Sequence, residues 1–220
     1  MIANWAGNVL FCPKRYHRPN NISELRKILT ENGRVRVIGT GHSFNHLAET
    51  PDNLVVLSDM PRSVEIDSGR QLAQVAGSWT YGELCPQLER SGWALANLAS
   101  LPHISVAGAC ATGTHGSGIS NGCLSTQIEE IELLTAGGDL ITLTEADERF
   151  SSAAVGLGAL GIVTALTLKL QQRFSIVQYV YEHIPLAEFV TDLLGTMSRA
   201  YSVSLFTTWK DPLFADIWSK

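Results

Sequence analysis

The chain has 220 residues, of which 45% are hydrophobic, and a formal net charge of −5 at pH 7. This length allows one large domain, or one and a half ordinary ones, with enough apolar residues for a packed core. An acidic chain offers no basic field to a phosphate backbone or an anionic membrane, which argues against nucleic acid as a partner. No apolar run approaches the roughly 20 residues that cross a bilayer, so no membrane span is predicted.

The cysteine pattern bears on the cellular compartment. Four cysteines are spread without a C-x-x-C pair, at positions 12, 85, 110 and 123, and no secretory leader pattern opens the sequence. Free thiols and the lack of a leader favour a cytoplasmic location. We expect the cysteines to act as small apolar residues.

The first half of the chain combines helix and strand patterns. Residues 21–29 place apolar side chains at helical spacing behind an Asn21 cap, and the helix is expected to stop at Asn32-Gly33. Residues 34–38 alternate in polarity and predict a strand that runs into a glycine loop. A second helix is predicted to start at Thr80, with Glu83 in the capping-box position. Further short strands are predicted at 54–57, 64–67 and 72–76.

Between Trp93 and Gly122 neither period is present. Small residues dominate this stretch, and Asp, Glu, Lys and Arg are absent from it. We interpret it as a buried loop wrapped around a ligand.

The second half predicts more strand than helix. Residues 128–135 and 140–143 flank Ala136-Gly137-Gly138-Asp139, which indicates a hairpin. Residues 150–158 predict a short helix, and residues 162–170 a half-buried strand with Leu166, Leu168 and Leu170 on one face.

The sequence changes in character after residue 173. Residues 174–181 and 203–209 predict strands, and residues 186–197 predict a helix. About 45 residues are too few for an independent core. We therefore predict a first domain over residues 1–173 and the incomplete beginning of a second over 174–220, in an α+β fold.

The glycine loop carries the first functional signal. Gly39 and Gly41 follow the predicted strand, where they let backbone N–H groups approach a pyrophosphate. The loop is not a Rossmann fingerprint, because Phe44 stands where the third glycine would be, and no Gly-Lys-Ser/Thr makes it a P-loop. His42 adds a potential nucleophile. The loop alone does not decide between a reactive histidine and one that caps a turn.

Several motifs in one order decide the family. The chain resembles FAD enzymes of the vanillyl-alcohol-oxidase type, and within them the alditol and xylitol oxidases. The resemblance covers roughly residues 4 to 170. Its segments are Asn4 to Asn8, Val37 to Asn45, Asn97 to Gly108, Ala111 to Gly118 and Gly158 to Leu166.

The resemblance implies a two-subdomain FAD-binding domain of the PCMH type, followed by the start of a truncated α+β substrate domain. His42 would hold the flavin covalently, through a bond from a ring nitrogen to the 8α-methyl carbon. Ser100 would lie on the substrate side, nearest the reacting face. The residues implied in cofactor binding are Val37, Ile38, Gly39, Thr40, Gly41, His42 and Ser43 around the pyrophosphate, Ser100, Ser105, Gly108, Thr112, Gly113, Thr114 and His115 along the flavin and its diphosphate, and Ile162 or Val163 at the adenine.

Nearby residues allow other roles. His103 and His115 have no carboxylate or thiolate at ligand spacing, so no metal site is predicted, and they are expected to satisfy buried backbone groups. Some relatives attach flavin through a second, cysteinyl bond, and Cys110 lies near the corresponding loop. The matching subgroup uses histidine alone, so that role is not assigned.

By resemblance, the reaction would oxidise the primary alcohol of a polyol such as xylitol or sorbitol, with dioxygen as acceptor, to an aldose and hydrogen peroxide. The catalytic base is expected outside these 220 residues, since family members run to nearly twice this length. The alternatives are a sugar-1,4-lactone oxidase or dehydrogenase of the same superfamily and a non-catalytic FAD-binding fragment. The segment Ser100 to Ser105 favours the polyol oxidases. The preferred polyol, the electron acceptor and the oligomeric state stay open.

Overall fold

The computed structural model describes residues 1–220, with the side chain of Val190 excepted. The strands are β1 (Ile2–Ala3), β2 (Leu10–Phe11), β3 (Arg15–His17), β4 (Val35–Ile38), β5 (Asn53–Val56), β6 (Val64–Asp67), β7 (Leu72–Ala76), β8 (Trp93–Ala94), β9 (Ile128–Leu134), β10 (Leu140–Thr144), β11 (Ile162–Lys169), β12 (Gln171–Gln172), β13 (Tyr179–Pro185), β14 (Val203–Phe206) and β15 (Leu213–Ser219). The helices are α1 (Ile22–Glu31), α2 (Tyr81–Arg90), α3 (Val106–Ala111), α4 (Phe150–Ala154), α5 (Ala187–Val190) and α6 (Leu193–Met197). The predicted α+β class is confirmed.

A small parallel sheet delivers the glycine loop. Its order is β3-β5-β4, and both pairings are parallel. Helix α1 packs Leu25 and Ile28 against Val55 of the central strand. The Asn21 side chain caps this helix by accepting from the Glu24 N–H at 2.8 Å, as the sequence predicts.

The larger sheet is antiparallel, in the order β10-β9-β11-β7-β6. The predicted hairpin forms between β9 and β10, with Leu134 opposite Leu140. Strand β11 lies between β9 and β7, so it is more buried than the expected half-buried strand: Thr167 is only 7% exposed. The Thr167 hydroxyl donates to Glu130 Oε2 at 3.2 Å, which satisfies that polar group.

The segment from 93 to 122 is mostly irregular, as predicted, but it also contains β8 and α3. Helix α3 buries Val106, Ala109 and Cys110, which are spaced i, i+3 and i+4. Six residues are too short for that spacing to be distinguished from chance, so the helix could not be predicted.

The last part of the chain differs most from expectation. The strand predicted from residue 174 begins at Tyr179, and the one predicted to 209 ends at Phe206. The predicted helix over 186–197 is two helices, because the Asp192 side chain accepts from the Gly195 N–H and starts α6 anew. Strand β15 was not predicted, and it lies between β13 and β14.

The sheet of β13, β15 and β14 has a small apolar core of its own, centred on Val203, Phe214 and Ile217. It meets the preceding part of the chain where Tyr201 Oη donates to Ala96 O. Among the described residues, no helix has both the length and the apolar character required to cross a membrane.

Candidate cofactor site

A cavity of about 1160 Å³ opens where the small parallel sheet and the larger antiparallel sheet end next to residues 99–115. That volume is somewhat larger than the pockets of drug-sized ligands, about 300–1,000 Å³, and suits an extended molecule. Gly113 and Ile162 do not line the cavity, and Ile162 is packed beside Leu134 in the core under α1. The predicted site residues that do line it are Val37, Ile38, Gly39, Thr40, Gly41, His42, Ser43, Ser100, Ser105, Gly108, Thr112, Thr114, His115 and Val163.

The glycine loop presents unused donors to this cavity. Gly41 has a φ of +68°, in the left-handed region that glycine adopts without strain. Within the described chain, the backbone N–H groups of residues 40–43 donate no hydrogen bond to the protein. Successive free N–H groups in a loop are suited to binding an anion.

The second loop packs directly on the first. The Ser105 N–H donates to Thr40 Oγ1 at 3.3 Å. A Cβ added to Gly39 would lie 2.2 Å from Ser105 Oγ, and one on Gly108 would lie 2.5 Å from the same atom. Gly39 therefore lets the first loop approach the second, whereas Gly108 makes room for the Ser105 hydroxyl within the second loop.

His42 is held among other rings on this wall. Its ring stacks on Trp5 with centroids 4.6 Å apart and an interplanar angle of 11°, and the His103 ring lies 5.3 Å away at 22°. Phe44 meets the same ring edge-on at 5.5 Å. Nε2 of His42 is enclosed and has no hydrogen-bond partner in the described residues, whereas Nδ1 is not enclosed. Nδ1 is thus the nitrogen that a bound molecule can reach.

The expectation that His103 and His115 satisfy buried backbone groups is wrong. Nε2 of His103 is enclosed without a partner in the described part of the chain, since the ring is committed to the stack with His42. Nδ1 of His115 lies 2.9 Å from Gly116 O, but this contact is exposed. Among the described residues, no group of three or more His, Cys, Asp or Glu side chains could hold a metal ion.

Two further segments of the wall were missed by sequence reasoning. Gly77 and Ser78 follow β7, and Ser78 Oγ is enclosed without a partner among the described residues. A Cβ on Gly77 would lie 2.4 Å from Val163 O, so this turn abuts β11. The sequence signal that could have predicted this segment was a strand followed directly by glycine, the same pattern as at Gly39. The other missed segment, Leu157-Gly158, has two consecutive left-handed residues.

The charges along the wall are mainly positive. Arg36 and Arg62 line it together with one carboxylate, Glu83, which pairs with Arg62. The hydroxyl of Thr80 and its backbone N–H, with Arg62, hold the pKa of Glu83 below its usual value. Guanidinium groups suit the oxygens of a diphosphate.

Cys110 lies behind the wall rather than on it. The thiol is packed in the core next to the Tyr81 hydroxyl, and burial raises its pKa to about 12. It is therefore a protonated, apolar thiol at neutral pH.

Comparison with known proteins identifies the family to which this chain belongs. A family profile described as an FAD-binding domain matches residues 13–144. The chain belongs to this FAD-binding family. The predicted resemblance to FAD enzymes of the vanillyl-alcohol-oxidase type is confirmed.

One relative is similar over the whole chain and another over most of it. An alditol oxidase from Streptomyces sp. (strain IKD472 / FERM P-14339) is 41% identical over 222 residues, which is 100% of this chain and 53% of the relative. An L-gulonolactone oxidase from Bos taurus is 34% identical over 179 residues, 79% of this chain and 41% of the relative. The chain thus spans about half the length of these relatives. The structure of cholesterol oxidase from B. sterolicum matches with a TM-score of 0.84 at 15% identity, over 99% of this chain and 46% of that one, which shows the fold.

The residues of this FAD-binding chain fit the cofactor of its family. The unused N–H groups of residues 40–43 suit its diphosphate. The two glycines against Ser105 leave the wall without side chains there, so a flat ring system can approach the backbone. The enclosed hydroxyl of Ser78 offers a further hydrogen bond at the wall.

Proposed function

We propose that this chain is the FAD-binding part of an oxidase that acts on the primary alcohol of a sugar alcohol, with FAD attached covalently through His42. The observation that carries the proposal is the position of His42, on the glycine loop at the cavity wall, with one ring nitrogen left accessible. The 41% identity to an alditol oxidase over the whole chain supports the substrate class.

The cofactor, when bound, supplies the acceptor for a hydride from the alcohol carbon. The chain supplies binding and orientation. Backbone N–H groups of residues 40–43 hold the diphosphate, and Ser100 on the cavity wall hydrogen-bonds a polyol hydroxyl next to the reacting carbon. The other predicted cofactor contacts that line the cavity, from Val37 to Val163, belong to this proposal as well.

The covalent attachment follows from the accessible nitrogen. His42 would hold the flavin through a bond from Nδ1 to the 8α-methyl carbon. Forming this bond would release the imidazole proton and one methyl proton, and dioxygen would take up these protons and the two electrons of the C–H bond as hydrogen peroxide.

In turnover, the alcohol loses a proton and a hydride to become the aldose, and dioxygen accepts the two electrons and two protons as hydrogen peroxide. A general base must take the hydroxyl proton. We place it in sequence that the relatives carry beyond the half matched here.

We also propose that residues 1–173 form the FAD-binding domain and residues 174–220 begin the substrate domain. A cytoplasmic location is part of the proposal, supported by the four free cysteines.

A second candidate is a sugar-1,4-lactone oxidase or dehydrogenase. The identity of 34% to bovine L-gulonolactone oxidase favours it, although that match covers less of the chain. A non-catalytic FAD-binding protein is the third. The three differ in what they oxidise: polyols, lactones or neither.

The test begins with the bond to His42. The protein, expressed with any sequence that flanks residues 1–220 in its gene, is precipitated with acid, and the flavin absorbance and peptide masses of the pellet are measured. We expect flavin on the peptide containing His42, and none after His42→Ala. The control is His46→Ala, an exposed histidine outside the cavity, which should keep the flavin.

The substrate class is then tested with xylitol, sorbitol and L-gulonolactone, by peroxide formation and by reduction of an electron-accepting dye. Peroxide with the polyols alone supports the proposal, and peroxide or dye reduction with the lactone alone favours the second candidate. Flavin that stays on the protein after His42→Ala would contradict the linkage. A native protein without flavin would contradict all three.

A further inference from the structure

The N-terminal segment Asn4–Asn8 lies against the loop that carries His42. We propose that Trp5 in this segment is a positioning residue that holds the His42 ring in the orientation needed for covalent attachment of FAD. The inference rests on the proposed bond between His42 and FAD.

The segment is tied to the loop on both sides of His42. Before it, the Trp5 N–H donates to Gly41 O at 2.8 Å. After it, Asn4 Nδ2 donates to Ser43 O at 2.9 Å. His42 is thus the residue between two anchored carbonyl groups, and its backbone cannot move without breaking one of these bonds.

Asn4 is suited to this anchoring. It is only 3% exposed, and every polar atom of its side chain has a partner. Besides Ser43 O, its Nδ2 group donates to Asn8 Oδ1 at 2.8 Å, and its Oδ1 accepts from the Val9 N–H at 3.1 Å. A buried, fully bonded amide fixes the segment in one conformation.

The ring of Trp5 completes the arrangement. It lies nearly parallel to the His42 ring, at 4.6 Å and 11°, and to the His103 ring, at 5.7 Å and 17°. A parallel indole limits rotation of the imidazole about its Cβ–Cγ bond. Because attack on carbon requires the nitrogen lone pair to point at the reacting atom, this limit raises the fraction of productive orientations.

Trp5 is not required for the core. It is 56% exposed, whereas the same stretch is anchored by Val9 and Phe11, which pack with Ile38 and Leu54. An indole that is exposed, yet stacked on the residue proposed to react, is better explained by orientation than by burial. Its removal should therefore separate positioning from folding.

The experiment follows attachment over time. Apoprotein from riboflavin-starved cells is mixed with FAD, samples are precipitated with acid, and covalent flavin is read from in-gel fluorescence. Non-covalent affinity for FAD is measured separately by fluorescence quenching in the His42→Ala background, where no bond can form.

We expect Trp5→Ala to slow covalent attachment about tenfold or more, and to change the dissociation constant for FAD by less than about threefold. Trp5→Phe, which keeps a flat ring, should restore most of the rate, whereas Trp5→Leu should not. The control is Tyr16→Ala, an exposed aromatic on β3 outside the cavity, which should leave the rate unchanged.

Three results would overturn the inference: an unchanged rate in Trp5→Ala, a parallel loss of rate and affinity, or equal rescue by Phe and Leu. If Trp5→Ala melts at a lower temperature, the comparison of Phe with Leu still decides. Wild-type protein that binds FAD but never attaches it would refute the proposed linkage itself, before any variant is compared.

Discussion

Gly39 and Gly108 lie against the same hydroxyl, that of Ser105. The contact of Gly39 joins two loops that are far apart in sequence, whereas Gly108 is three residues from Ser105 in the same loop, and each glycine is needed for the space it leaves empty. The same reasoning does not apply to Gly33, where an added methyl group would have no neighbouring atom within 4 Å.

We predict that Gly39→Ala destabilises the fold through Ser105. The added methyl would lie 2.2 Å from Ser105 Oγ but 3.3 Å from Ser105 Cβ, so the hydroxyl causes most of the overlap. Gly39→Ala should lower the free energy of unfolding by about 1–3 kcal/mol, the usual cost of overpacking. Ser105→Ala should recover much of this loss in the double variant, as measured by urea unfolding.

The matched control is Gly33→Ala, which should cost little. Additive effects of Gly39→Ala and Ser105→Ala would contradict the contact, since coupled neighbours deviate from additivity.

At single positions, residues of the cavity wall were easier to predict from the sequence than the contacts among those residues. His42 and the glycines around it were predicted, because closely spaced glycines directly after a strand are typical of a loop that approaches a phosphate. Ser78 was missed, since the strand before it is followed by one glycine, Gly77, and not by two closely spaced ones as at Gly39 and Gly41. The stacking of Trp5 and His103 on His42 could not be predicted either, because these residues are brought together only by the fold.

Helix α2 begins with two residues that hydrogen-bond each other. Thr80 and Glu83 form the capping box that the sequence predicts, with the Glu83 carboxylate accepting from the Thr80 hydroxyl at 2.7 Å and from its N–H at 3.3 Å. The helix also carries Tyr81 and Gly82 at its start, next to the cavity wall, so its first turn helps to shape the site.

We predict a pH-dependent contribution from Glu83. The pKa of its carboxyl is lowered in the folded protein, chiefly by the Thr80 hydroxyl, so ionised Glu83 stabilises the fold above its ordinary pKa. That contribution is lost as pH falls through the lowered value. Glu83→Ala should therefore cost about 1 kcal/mol at pH 7, and the difference from wild type should shrink in acid.

Thermal unfolding from pH 7 down to acid pH measures this difference. Glu148→Ala, at an exposed carboxylate, is the control and should have little effect at any pH. A Glu83→Ala penalty that grew in acid would contradict the assigned direction of the pKa change.

Elements with a strong local signal were predicted within a residue or two, including α1, α2 and the β9–β10 hairpin. Strand β15 was not, because its buried residues Phe214 and Ile217 are three apart and give no period of two. It is recognised only from its pairing with both β13 and β14. Where pairing rather than alternation defines a strand, the single sequence carries no signal.

Over the whole molecule, apolar exposure is uneven. Strands β13 and β14 are the two edges of the last sheet, and β13 leaves Tyr179, Val180 and Tyr181 exposed. Exposed apolar edge strands favour association with other chains. The exposed large hydrophobic residues of the described part of 174–209 are Phe174, Ile176, Val177, Tyr179, Val180, Tyr181, Leu193, Leu194, Tyr201, Phe206 and Trp209.

We predict that the isolated chain of residues 1–220 binds an apolar dye and self-associates through these residues, because soluble proteins usually cover large exposed apolar surfaces. Val180→Lys should reduce both dye fluorescence and the weight-average mass in sedimentation, since a charge on β13 opposes edge pairing. Leu140→Lys is the matched control: Leu140 is similarly exposed, at 41% against 48% for Val180, but lies on the other sheet. A chain that stayed monomeric at high concentration without binding dye would show that the surface is not adhesive, and equal effects of the two lysines would assign the association elsewhere.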